Sequence, residues 1–203
     1  MAWAFSDSTL STEIGVPSLA GLNYFAGIQT FSSTATSTST SSGAVTIAGG
    51  LAIQGALRGA GVWGAVWNDL ADCITVPEET DLEYGCAYCF DGEHYYKSSK
   101  YLDNGFVGIH SDTAGFVMGH KPELKQLQAA VAGFVLAYVD QEYAPGTPLT
   151  VTIDGKLTAI SMDDLSDNYH KVVATFWKKE PAEKWGPEGQ EVPVNGRMWV
   201  KVK

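Results

Sequence analysis

Two styles of hydrophobic patterning divide the chain. From about residue 62 onward, short apolar runs recur between turn-forming residues, as in strands. Phe106–Ile109, Ala132–Val139, Leu149–Ile153, Leu157–Ile160, Val172–Trp177 and Arg197–Val202 are the strand candidates. Asp154-Gly155 stands between LTVTI and KLTAI, and Asn195-Gly196 between EVPV and RMWVKV. Both dipeptides accept the positive φ of a two-residue turn, so two hairpins are predicted. Helix is scarce. Pro122–Gln128 suggests one or two turns, and Ser161-Met-Asp-Asp164 reads as a capping box opening a short helix.

Upstream the pattern changes. Residues 31–42 read FSSTATSTSTSS, and Thr is β-branched and favours extended backbone. In GAVTIAGGLAIQGALRGAG, Val45 and Ile47 share one alternating face, and Leu51 and Ile53 share another. Gly49-Gly50 and Gly55 interrupt these strands, which are too short and glycine-rich to build a core alone. Such strands need stacking partners, as in a fibre. Val45, Ile47, Leu51 and Ile53 are therefore predicted to line contacts between chains. Residues 1–30 are small, apolar and almost uncharged, a surface that calls for burial against another chain. Three segments follow: 1–30 for attachment, 31–61 fibre-like, and 62–203 a β-rich domain. The fold class is all-β with minor helix.

Charge narrows the partners. The 203 residues carry a net charge of −10, with 13 basic and 23 acidic side chains. A nucleic-acid binder needs a cationic footprint, so nucleic acid is not expected, and neither is an anionic membrane. No run of apolar residues is long enough to span a bilayer, and no signal peptide is visible at the start. Residues 178–203 differ from the rest, with six basic against four acidic groups. Three cysteines are too few for a disulfide scaffold, which suggests synthesis in a reducing compartment.

The motifs that could carry chemistry are weak. Cys86-Ala-Tyr-Cys89 has thiolate spacing for zinc, but no second pair completes a tetrahedral set. Inert, buried cysteines are the expectation. His110-Ser111-Asp112 holds the residue types of a hydrolytic triad, yet neighbours along a strand point to opposite faces. Asp112-Thr-Ala-Gly115 resembles an aspartic-protease loop broken by Ala114. His94, His110, His120 and His170 share no ligand spacing, and Glu78, Glu79, Asp81 and Glu83 read as a solvated acidic loop. No catalytic residue, metal ligand or cofactor is assigned.

Longer patterns are more specific. TSTSTSSGAVTIAGGLAIQGAL resembles the Ser/Thr and Gly/Ala repeats of phage tail-fibre proteins. Val62-Trp-Gly-Ala-Val-Trp-Asn-Asp-Leu-Ala-Asp72 is similar to the opening of C-terminal domains in phage tail proteins. IHSDTAGFVMG (109–119), VAGFVLAY (131–138) and VNGRMWVKV (194–202) continue the resemblance in order. Related domains include self-cleaving intramolecular chaperones of phage appendages. The resemblance implies a homotrimeric structural protein of a virion, either a fibre or spike or a capsid decoration. It would contact other virion proteins, and in a tail position also host-surface glycan or protein. The alternative is a self-cleaving chaperone module. Two departures from the pattern stand out. The chain has little upstream for a chaperone to fold, and Leu70-Ala-Asp72 replaces the usual Tyr-Ala-Glu-Tyr. Catalytic residues are accordingly not carried over.

Overall fold

The structure, a computed structural model, describes residues 68–186 and 191–203. The attachment and fibre-like segments, with Val45, Ile47, Leu51 and Ile53, lie outside the described residues. So does the Val62–Trp67 part of the opening motif.

The strands are β1 (Asp69–Thr75), β2 (Ala87–Phe90), β3 (Tyr95–Lys97), β4 (Phe106–His110), β5 (Ala114–Met118), β6 (Gln126–Ala137), β7 (Pro148–Val151), β8 (Leu157–Ala159), β9 (Ala174–Lys179), β10 (Lys184–Trp185), β11 (Val192–Pro193) and β12 (Met198–Val202). The α-helix among the described residues is α1 (Met162–Asn168). The domain is all-β, as the sequence predicts. Ten strands form one sheet with the path β3-β2-β4-β6-β12-β9-β7-β8, while β1 joins it through β6 and carries β5 on its other side. β10 and β11 pair separately.

The sheet curls until its ends meet. Ser98, just past β3, donates its hydroxyl to Thr152 O at 2.6 Å and accepts from Gly155 N at 3.0 Å. Leu102 N donates to Val151 O at 3.1 Å. Inside the curl lie Ala87, Cys89, Ile109, Val135, Leu157, Phe176 and Val200, among others. Alternation puts every second residue of these strands on the other face. There Tyr88, Leu127 and Ala129 form a second cluster with Val76 and Cys86, and Leu136, Val194 and Trp199 form a third under the β10–β11 hairpin.

Local chemistry explains several elements. Asp154 and Gly155 have φ of 58° and 70° and lie between the antiparallel β7 and β8, so the first hairpin forms, though by a longer connection than the two-residue turn expected, from Val151 to Leu157. Ser161 caps α1 by accepting from Asp164 N at 3.0 Å. Three expectations are corrected. Asn195 and Gly196 adopt the predicted turn, with φ of 51° and 76° and Arg197 N bonded to Val194 O. Yet the strands beside it do not pair: β12 pairs with β6 and β9, and β11 with β10. Pro122–Gln128 forms no helix. Gln126–Gln128 instead begins β6, which reaches six residues further back than the apolar run suggests, because β1 pairs with that stretch from Thr75↔Gln126 onward. Ile153 leaves the predicted strand for a single 3-10 turn.

Candidate functional site

A buried polar cluster sits where the described chain begins. Asp69 opens β1, in register with Gly133 of β6 and Ala114 of β5, and both pairings shift by a bulge within the next residue or two. The side chain is 5% exposed. Its Oδ1 accepts from Thr113 Oγ1 at 2.8 Å, while Oδ2 finds no protein partner. Thr113 Oγ1 lies 3.2 Å from Ser111 Oγ, which accepts from Thr113 N at 2.9 Å. Burial pushes the Asp69 carboxyl up to about 6; the Thr113 and Ser111 hydroxyls oppose this, and the Asp112 charge adds to it.

The backbone around Asp69 is clamped. Asn68 N donates to Thr113 O at 3.2 Å, and Asn68 O accepts from Phe134 N at 3.0 Å. Gly133 has φ of +103°, and a Cβ there would stand 2.5 Å from Asn68 O. Only glycine allows β6 to approach so closely. Asn68 is thus pinned by backbone hydrogen bonds to both neighbouring segments, immediately before the buried Asp69 carboxyl.

The flanking residues are committed elsewhere. His110 is buried with Nδ1 unpartnered, its ring 4.3 Å from that of Tyr84 and edge-on to Tyr88. Desolvation holds it down to about 4, so it is neutral at pH 7. Asp112 forms a bidentate pair with Arg197, at 2.7 and 2.9 Å. The guanidinium also donates to the carbonyls of Val194 and Pro193. A 290 Å³ cleft lined by Glu83, Tyr84, Asp112, Tyr138, Asn195 and Arg197 opens beside this pair.

The sequence motifs resolve accordingly. His110, Ser111 and Asp112 build no triad: Ser111 bonds Thr113, and Asp112 bonds Arg197. The same ion pair occupies Asp112 of the Asp112–Gly115 loop. Cys86 and Cys89 fall in different clusters on opposite faces of the sheet, so the pair cannot share a metal ion. Burial raises both thiols to about 12. Asp81 and Glu83 share Lys97, at 2.6 and 2.9 Å. Among the described residues no group of His, Cys, Asp or Glu is arranged to hold a metal ion. No described helix is long and apolar enough to cross a membrane. Sequence reasoning treats Asp69 and Thr113 only as parts of longer motifs. A contact across 44 positions has no local signal.

No family model matches the chain, and no curated protein does. Among solved structures, the crystal structure of the pre-mature bacteriophage phi29 gene product 12 is similar, with a TM-score of 0.47 and 14% identity. The match covers 74% of this chain and 23% of that one.

Proposed function

We propose that the chain is a structural subunit of a bacteriophage virion, a homotrimeric fibre, spike or capsid-decorating appendage. In this reading residues 1–61 attach and intertwine, and the β-domain stands at the free end. The sequence resemblance motivates the reading, and one structural observation supports it. Among the described residues β5 pairs with β1 alone, and on this edge Phe116 is 63% exposed with Val117 and Met118 exposed beside it. An apolar edge strand invites association or aggregation unless something covers it.

The test is intact mass of the full chain under native and denaturing conditions. The expected result is one denatured mass of 21.7 kDa and a native mass of about three times that. Ile47→Asp and Phe116→Asp should each weaken the oligomer. A native monomer would sink the reading.

A second reading, self-cleavage, is favoured by the Asp69 site. A carboxylic acid that keeps its proton up to about pH 6 adjoins a clamped peptide bond. Addition of the carboxyl oxygen to the Asn68 carbonyl carbon would break the bond to Asp69 N, which takes the carboxyl proton. Water would then hydrolyse the resulting anhydride. This reading predicts two denatured fragments divided after Asn68, and a single mass for Asp69→Asn.

A further inference from the structure

The outer face of β6, β12 and β9 carries a feature that neither reading uses. Val135, Val200, Val202, Ala174 and Phe176 point into the core, so Phe134, Lys201 and Thr175 point away from it. The register sets Lys201 opposite Phe134 on one side and Thr175 on the other. A bulge lets Trp199 pair with Lys178 and Val200 with Phe176, which leaves Trp177 as the extra residue between them. The Trp177 ring then lies against Phe134, centroids 4.2 Å apart and planes 36° from parallel.

Lysines lie over these rings. Lys178 Nζ lies 4.9 Å from the Trp177 ring centroid, and Lys201 Nζ 5.8 Å from that of Phe134. Two positions beyond Lys201, Lys203 lies 5.0 Å from the Tyr169 ring. The hairpin covers the neighbouring half of this face, over Trp199 and Leu136. Trp177 nevertheless stays 40% exposed. The carboxylate of Glu180 accepts from Trp199 Nε1 at 2.7 Å and so is already engaged. In a chain of net charge −10, a concentration of ammonium groups around open aromatic rings is a local inversion of the overall sign.

We propose that Trp177 and Phe134, with the ammonium groups of Lys178 and Lys201 over them, form a binding platform for acidic polysaccharide. The flexible Lys178 chain swings off the indole to admit the C–H face of a pyranose ring, which stacks on its electron-rich π-face. The lysines pair with carboxylates spaced along the sugar chain. Sparse carboxylates suit this charge balance, whereas the dense phosphates of nucleic acid would meet repulsion from the acidic remainder. The inference deepens the appendage reading and rests on it for the role of such a surface.

The test titrates the full-length chain with hexagalacturonate and with its fully methyl-esterified, uncharged form, following heat and tryptophan fluorescence. The acid should bind saturably, and the ester about tenfold more weakly. Trp177→Ala should weaken acid binding about tenfold, near the value of one good stacking contact. Lys178→Gln combined with Lys201→Gln should abolish the preference for acid over ester. The native mass of Trp177→Ala should equal that of the wild type. The proposal is overturned by absence of saturation at millimolar acid, by equal binding of acid and ester, or by indifference to Trp177→Ala. A drop in native mass for Trp177→Ala overturns it too, by showing that the face meets a second copy. A monomeric wild type would instead defeat the appendage reading while leaving the sugar titration readable.

Discussion

Arg197 and Asp112 face each other through two hydrogen bonds, and the pair ties the start of β12 to the loop between β4 and β5. Arg197 is 2% exposed. Its guanidinium fits the carboxylate as a planar fork, and the Val194 and Pro193 carbonyls take further donors. Gly85 makes room for it, since a Cβ there would stand 2.3 Å from Arg197 Cδ.

Removing one partner leaves a desolvated charge. Asp112→Ala should therefore cost about 3 kcal/mol, and Arg197→Lys nearly as much, because an ammonium cannot reproduce the fork. Urea unfolding followed by tryptophan fluorescence checks both. A loss below about 0.5 kcal/mol, the ordinary range for surface substitutions, would show the pair to be dispensable.

Asp69 and His110 should make opposing contributions to acid stability. Asp69 has a folded-state value of about 6 against 3.8. The folded state thus holds that proton more tightly, and stability falls as pH rises from about 4 to 6. His110 has a folded-state value of about 4 against 6.5. The unfolded state binds that proton more tightly, so stability falls as pH drops from 6.5 to about 4. Each shift corresponds to about 3 kcal/mol. Over the shared window the two nearly cancel. Asp69→Asn should leave a variant that loses stability on acidification relative to wild type. His110→Phe should leave one that gains it. Parallel pH profiles for wild type and both variants would show that neither group is as desolvated as its burial implies.

The cysteines supply a check on reactivity. Burial raises the Cys86 and Cys89 thiols to about 12, so almost no thiolate exists at pH 8. Cys73 is half-buried, and its thiol is raised by burial and by the Asp72 charge. Ellman's reagent on the native chain should titrate one thiol slowly, and all three after denaturation. Zinc should not bind stoichiometrically, and a chelator should leave the far-ultraviolet circular dichroism unchanged. Rapid reaction of two native thiols would contradict the placement of β2.

What was legible in the sequence was whatever a few adjacent residues decide. Asp154-Gly155 specifies its turn, Ser161 its cap, and the Val- and Leu-rich runs their strands. Pro122–Gln128 misleads because Glu, Leu, Lys and Gln are good helix formers, and only pairing with β1 makes its Gln126–Gln128 part extended. The Asn195-Gly196 turn is legible, but the partner of β12 lies some sixty residues earlier in β6. The Asp69 cluster depends on the same long-range pairings. β1 must lie beside β5 before Thr113 can reach the carboxylate, so no local pattern announces it.

Gly133 tests whether that entry point depends on close backbone approach. Its φ of +103° is costly for any side chain, and its would-be Cβ meets Asn68 O at 2.5 Å and Asp69 Cα at 2.9 Å. Those neighbours are backbone atoms, fixed by the Phe134 N to Asn68 O bond and by the β1–β6 register. They cannot swing aside as a side chain would. Gly133→Ala should therefore destabilise the chain by more than the roughly 1 kcal/mol of an ordinary strained glycine position. The damage should be local first. Hydrogen exchange at the amides of Asn68 and Phe134 should accelerate, while that of Val151 and Leu157, across the curled sheet, stays slow. Gly146, with φ of +89° but open space around its would-be Cβ, is the control. Gly146→Ala should cost only the conformational penalty, and equal losses at the two positions would show that the contact with Asn68 contributes nothing.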